Sequence, residues 1–151
     1  MFRGYDELTM DTKGRISLPA RYHERVLASC QGRFVMTMHL RDQCLVLYPL
    51  PEWDKIESQF DKLPISDPVY ERLKRRIVGR ATEVQIDGAG RFLVSPELRR
   101  DAGLDKAVVM TGQGKKCEIW NKEAWIQLDK QPLELVFEKE KHAPVVDALG
   151  L

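Results

Sequence analysis

Two short stretches hold the residue types and spacing best suited to chemistry. Met10-Asp11-Thr12-Lys13-Gly14-Arg15-Ile16-Ser17-Leu18-Pro19 is answered 76 residues later by Ile86-Asp87-Gly88-Ala89-Gly90-Arg91-Phe92-Leu93-Val94-Ser95-Pro96. In each, a carboxylate is followed three residues on by glycine and four residues on by arginine. A carboxylate at the first position of a tight turn accepts from the turn's amides, and glycine takes the positive φ that closes it. The arginine offers a planar fork of donors that suits phosphates and guanine edges. This chemistry is anion recognition, not bond making. In the first copy Thr12, Lys13 and Arg15 crowd the turn, with Arg3 in the N-terminal stretch before it; in the second, Arg91 is the remaining cation. Arg15, Lys13, Arg3, Thr12 and Arg91 are therefore candidate contacts to nucleic acid, the first turn ahead of the second. Asp11, Gly14, Asp87 and Gly90 are the residues that shape the turns. A purely architectural reading competes, in which Asp11 pairs with Arg15 and Asp87 with Arg91 to fix a hairpin or a subunit contact. Residue chemistry alone leaves both open.

Catalysis asks for a nucleophile with its base, paired carboxylates, a metal cluster or a phosphate cradle, and the sequence offers none of these sets. His23, His39 and His142 lack ligand-like spacing, and His39 with Cys44 is a weak metal pair. Cys30, Cys44 and Cys117 stand apart without a CxxC, which reads as reduced structural thiols. Gly112-Gln113-Gly114-Lys115-Lys116 lacks the spacing of a nucleotide-binding loop and sits between two strand-like runs, so it reads as a hairpin. The expectation is a non-enzyme with no metal, cofactor or small-molecule substrate. No apolar run approaches the roughly 20 residues that cross a bilayer, and the opening lacks a secretory pattern, which points to a cytoplasmic protein with no membrane partner.

The elements that must position these residues repeat as well. Val35-Met36-Thr37 matches Val109-Met110-Thr111, and Leu47-Tyr48 with Trp53 matches Ile119-Trp120 with Trp125. Asp11 to Gly14 and Asp87 to Gly90 are expected as hairpin tips, with strands Glu7 to Met10 and Glu83 to Ile86 before them and Arg15 to Leu18 and Arg91 to Val94 after. Helices open at Pro19 and Pro96, the second ending at Gly103. Phe34 to His39, Cys44 to Tyr48, Ala107 to Thr111 and Cys117 to Trp120 read as strands. Amphipathic helices near Pro51 to Phe60 and Lys122 to Lys130 close the halves, with Trp53 and Trp125 as buried anchors. Asp67, Pro68 and Gly79 bound a linking helix with Val69, Leu73 and Ile77 on one face and Arg72, Arg75 and Arg76 on others. The organisation is a first half over 1–60, a link over 61–80, a second half over 81–131 and a tail over 132–151, undocked from about Ala143.

With 151 residues, 43% hydrophobic and 31% charged, the chain can build a packed core. Its net charge of +1 gives no vote for an anionic partner, although all thirteen arginines lie in the first hundred residues. The paired Asp-x-x-x-Arg motifs, the opening Met-Phe-Arg-Gly, Leu-Tyr-Pro-Leu-Pro-Glu-Trp at 47 to 53 and Asp-Gly-Ala-Gly-Arg at 87 to 91 resemble the MraZ family of bacterial transcriptional regulators, from Met1 to about Lys130. The resemblance implies an α+β fold, mainly β with short helices, in which two tandem AbrB-like halves make a swapped-hairpin, double-split β-barrel. It also implies a ring-shaped homo-oligomer that is nucleoid-associated and binds double-stranded DNA at direct repeats in the promoter of its own operon of cell-wall and cell-division genes. The family's DNA-contacting loops match Lys13 and Arg15 in the first copy and Arg91 in the second. An antitoxin-like protein-interaction module with the same barrel is the alternative.

Overall fold

The computed structural model describes residues 1–64 and 66–151; Ile65, within the expected 61–80 link, lies outside the described residues. Eight strands form a six-stranded antiparallel sheet and a two-stranded ribbon. The first repeat supplies β1 (Phe2–Thr9), β2 (Arg15–Ser17), β3 (Arg33–Met38) and β4 (Leu45–Pro49); the second supplies β5 (Thr82–Gln85), β6 (Arg91–Leu93), β7 (Ala107–Gly114) and β8 (Cys117–Asn121). Helices α1 (His23–Cys30), α2 (Leu50–Phe60), α3 (Pro68–Ile77), α4 (Pro96–Asp101), α5 (Lys122–Asp129) and α6 (Lys139–Ala148) fill the connections and the tail. None is long and apolar enough to cross a membrane.

The sheet order β1-β7-β8-β4-β3-β5 interleaves the repeats, and β2 pairs with β6 in the ribbon. The register has a pseudo-two-fold character. Ile16 faces Phe92 and Val46 faces Glu118, while Arg15↔Leu93 mirrors Ser17↔Arg91 and Leu45↔Ile119 mirrors Leu47↔Cys117. Asp6↔Met110 likewise mirrors Met36↔Thr82. Alternation sends one side of each strand into the shared core, and on β3, β4, β7 and β8 the other side is buried as well, Val35 against Trp53 and Ile77, and Val109 against Cys44 and Trp120. Phe2, Ile16, Leu18, Phe34, Met36 and Leu45 meet Phe92, Val94, Met110 and Ile119 in one core drawn from both repeats. The α+β class and the two-repeat architecture are as expected, but the barrel does not close. At each junction between sheet and ribbon two backbone bonds close the turn: Asp11 N–H to Arg15 O and Gly14 N–H to Asp11 O, both at 3.0 Å, and Asp87 N–H to Arg91 O and Gly90 N–H to Asp87 O, both at 2.9 Å.

The expected hairpins are turns whose flanking strands part. Beyond the turn β1 leaves to pair with β7 and β2 with β6, because the partners that bury Ile16 and Phe92 lie in the other repeat. β1 also starts five residues earlier than the expected Glu7, since all eight of its residues find partners along β7. Pro19 precedes a short 3-10 turn, Ala20–Tyr22, so α1 begins only at His23, whereas Pro96 occupies the first turn of α4 under a Ser95 cap. Asp67 caps α3 by accepting from Val69 N–H, and the helix ends two residues before Gly79. Gly103, at φ 62°, follows α4 as expected. Gly112 to Lys116 form the β7–β8 hairpin. Two apolar expectations shift: Val69 is 62% exposed, and Trp125 is only half-buried, against Trp120 and Tyr5, while Trp53 is buried. In both cases the short helix has one edge beyond the sheet it packs on. The three cysteines are free and buried, and burial pushes the Cys117 thiol up to about 12.

Phe92 is 1% exposed where the repeats meet. Phe92→Ala is expected to lower the stability of the whole chain by roughly 3–5 kcal/mol. In urea denaturation the midpoint should fall for near- and far-ultraviolet signals together; loss confined to one signal would separate the two repeats.

Candidate nucleic-acid interface

Each turn is built by its aspartate. Asp11 Oδ1 accepts from Lys13 N–H at 2.9 Å and Arg15 N–H at 2.8 Å, and its Oδ2 accepts from Arg15 Nε at 2.7 Å. Asp87 repeats the arrangement with Ala89 N–H, Arg91 N–H and Arg91 Nε, at 2.9, 2.9 and 3.0 Å. The Arg15 amide, then the Arg15 side chain, hold the Asp11 carboxyl down at about 2, and the Arg91 amide leads the same lowering at Asp87. The architectural pairing is thus present in both copies. It is also compatible with recognition, because only Nε is engaged. The terminal nitrogens of Arg15 and Arg91 have no protein partner among the described residues, so the outer edge of each fork stays available to a bidentate acceptor. The two ion pairs are roughly one-third to two-fifths exposed, where the charge attraction itself contributes little, so their main effect is orientation.

The ribbon brings the two arginines together. Ile16 and Phe92 point into the core, so their neighbours Arg15, Ser17, Arg91 and Leu93 share the opposite, solvent-facing side. Arg15 and Arg91 are diagonal neighbours across the ladder, about 7–8 Å apart at Cα. Ser17 and Leu93, the latter 54% exposed, complete this face. Neither was singled out from sequence. The alternation of strand side chains was the available signal, but it assigns a shared face only once β2 is known to pair with β6.

Lys13 and Thr12 are exposed on the first turn. Arg3 is not beside them. It lies in β1 opposite Gln113, six strand residues before Thr9, about 20 Å along the strand. Its carbonyl accepts from Tyr22 Oη and Arg21 Nη2, which pins the backbone, while its side chain remains exposed.

Gly14 and Gly90 are required for two reasons. Both have positive φ, 88° and 77°. Each is also covered by a side chain of the other repeat: a Cβ on Gly14 would stand 2.7 Å from Arg99 Cζ, and one on Gly90 would collide with the His23 ring. The carbonyls of these glycines accept from the opposite repeat as well, Gly14 O from Val94 N–H at 2.8 Å and Gly90 O from Leu18 N–H at 2.9 Å. Each turn is therefore held from both sides.

With this geometry in view, the family comparison is decisive. The family model described as "MraZ protein, putative antitoxin-like" matches residues 1–76 and again 77–146. The chain belongs to the MraZ family of transcriptional regulators. It is 44% identical to "Transcriptional regulator MraZ" of Thioalkalivibrio sulfidiphilus over 151 residues, the whole of both chains. It is 50% identical to the protein of that name in Halorhodospira halophila over 127 residues, 84% of each chain. The Escherichia coli O127:H6 protein is 44% identical over 134 residues, 89% of this chain and 88% of its own. The likeness runs past Lys130 into the tail, which the sequence motifs alone did not reach.

Gly14→Ala is expected to cost roughly 1–3 kcal/mol through backbone strain and displacement of Arg99. Gly88→Ala, in open space without positive φ, should be neutral or slightly stabilising; equal melting temperatures for both variants would refute this account of the turn. The depressed Asp11 carboxyl adds stability at neutral pH that is lost as pH falls from the ordinary value of 3.8 to about 2. A carbon-detected titration should place the Asp11 midpoint near the lower value in the folded protein, and Asp11→Asn should flatten that part of the acid stability profile.

Proposed function

We propose that the solvent face of the β2–β6 ribbon, with the first turn, binds double-stranded DNA, and that the chain regulates transcription by occupying direct repeats in the promoter of its own operon of cell-division and cell-wall genes. The observation that carries this reading is the pair of arginines, 76 residues apart in sequence, held on one exposed face with their outer nitrogens available. Arg15 reads a base edge or a phosphate, Lys13 and Thr12 hold the backbone beside it, and Arg91 adds a contact from the second repeat. Arg3 serves as a separate backbone anchor at the far end of β1. A net charge of +1 suffices if copies of the chain assemble into a ring with one basic turn per subunit on a shared rim, because phosphate contacts then add across subunits. Such a protein acts as a repressor by occupying promoter DNA, works in the cytoplasm on the nucleoid, and needs no cofactor. The relatives' printed name and the family's match over both repeats support the reading.

The antitoxin-like wording of the family description and the exposed Leu133, Leu135 and Val136 of the tail favour a second reading, a surface that binds protein. Fluorescence anisotropy separates the two. A labelled duplex from upstream of the chain's own gene is compared with a shuffled duplex at two salt concentrations. The DNA reading expects a preference for the native duplex that persists at higher salt, and absence of binding to either duplex favours the protein-binding surface. Arg15→Ala should weaken specific binding by about 1–3 kcal/mol, while Lys13→Ala costs less and affects both duplexes alike. Unchanged affinity in a folded Arg15→Ala protein would remove that residue from the interface.

A further inference from the structure

The pseudo-two-fold axis relates the two turns in backbone but not in charge. From the turns to the helices that follow them, residues of the first repeat correspond to those 76 positions later, and beyond the helices to those 74 later, so His23 and Glu24 of α1 are the counterparts of Arg99 and Arg100 of α4. Because each turn packs on the helix of the other repeat, the first turn meets Arg99 and Arg100, and the second meets His23, which Glu24 follows in α1. Lys106, whose carbonyl accepts from Met10 N–H, has Gly32 as its counterpart, which accepts from Ile86 N–H. The first turn thus gathers Lys13, Arg15, Arg99, Arg100 and Lys106 against Asp11 and Asp105, five cations to two carboxylates; at the second, Asp87 and Arg91 lie beside His23, and the counterpart of Arg100 is the acidic Glu24.

Three of these cations, Arg99, Arg100 and Lys106, line a single cleft of about 1000 Å³ between the first turn and the end of α4, with Asp11 and Thr12 on the wall opposite them. Arg99 is unsatisfied there. Its Nε is shut off from solvent with no hydrogen-bond partner, and no carboxylate pairs with its guanidinium among the described residues. By contrast Arg21 has Asp6, Arg33 has Glu83, Arg75 has Glu71 and Arg80 has Asp101, and the counterpart His23 has the Leu18 carbonyl at 2.6 Å. A guanidinium so placed keeps its full charge without a carboxylate, and its terminal nitrogens, which have no protein partner among the described residues, are the donors that an anion rich in acceptors would engage. Arginine forks, a lysine point charge and a threonine hydroxyl together fit a phosphate group.

We infer that this cleft binds a backbone phosphodiester of the duplex, with Arg100 and Lys106 as its contacting cations and Arg99 as the residue that both props Gly14 and faces the phosphate. The inference rests on the DNA reading of the ribbon and adds residues to it: the duplex lies across the ribbon and dips one phosphate beside the first turn, while the second turn, without these cations, makes no equivalent contact. The test measures the dependence of duplex affinity on salt. Each of Arg100→Gln and Lys106→Gln should lower the slope of log affinity against log salt by about 0.9, equally for the native and the shuffled duplex, with an unchanged melting temperature. Arg100→Lys should restore the slope. Arg72→Gln, an exposed cation on α3 away from the cleft, should leave it unchanged. If the wild type binds and Arg15→Ala weakens it, but Arg100→Gln and Lys106→Gln keep the full slope, the cleft assignment fails and the ribbon reading stands. An equal drop in slope for Arg72→Gln also defeats the assignment. If no duplex binds the wild type, the ribbon reading fails with it; inorganic pyrophosphate heat that disappears in Arg100→Gln would then mark a small-phosphate site and overturn the phosphodiester assignment.

Discussion

No strand of one repeat is complete without the other. β1 needs β7, β2 needs β6, β3 needs β5 and β4 needs β8, so every strand of the first repeat has a hydrogen-bond partner in the second. Either repeat alone would leave rows of N–H and C=O groups open along its edges and would expose Phe2, Ile16 and Phe34, or Phe92, Val94 and Ile119, to water. The core is formed jointly because the backbone groups are satisfied jointly. This places the important contacts far apart in sequence, and it makes the register of two three-residue strands, β2 and β6, matter as much as that of the long ones.

The ribbon converts that constraint into a site. Ile16 and Phe92 face each other across the pseudo-axis and must be buried, which forces Arg15, Ser17, Arg91 and Leu93 outward together. Local chemistry then sets the arginine geometry. Each aspartate spends one oxygen on two amides of its turn and the other on its arginine's Nε, so the guanidinium plane is fixed by groups already rigid in the backbone. Such preorganisation reduces the side-chain freedom that binding would otherwise remove. It also reconciles the two readings of the Asp–Arg pairs, since the contact that shapes the turn is the one that aims the fork.

What the sequence made legible is what depends on nearby residues. The Asp-to-Gly turns, the Asp67 cap, the helix start at Pro96, the stops at Gly79 and Gly103 and the α2 and α5 spans all follow from interactions within a few positions. Strand partners are a different kind of information. A turn between two short apolar runs reads as a hairpin, and only the burial of Ile16 against Phe92 shows that the runs part and pair elsewhere. Trp125 and Val69 were misplaced for a related reason: helical periodicity gives the apolar face of a helix but not the extent of the surface it lands on. The candidate site divides in the same way. Asp11, Gly14, Arg15 and their copies were visible in the motif, whereas the support of Gly14 by Arg99 and of Gly90 by His23 crosses between repeats and has no local signature.

Comparison of the repeats also separates shape from recognition. The aspartate, glycine and arginine that shape each turn are identical in both copies, and the buried positions keep their apolar character. The positions outside the apolar core diverge: Lys13 against Ala89, Arg99 against His23, Arg100 against Glu24. A chain symmetric in charge as well as backbone would present two equivalent ends to a duplex and would match an inverted repeat, as two-fold symmetric readers do. A chain with one basic end has a direction. Copies set head to tail keep that direction from subunit to subunit, and a closing head-to-tail arrangement is a ring. On the proposed DNA reading, the charge difference between two similar turns is what would let a pseudo-symmetric fold follow directly repeated DNA.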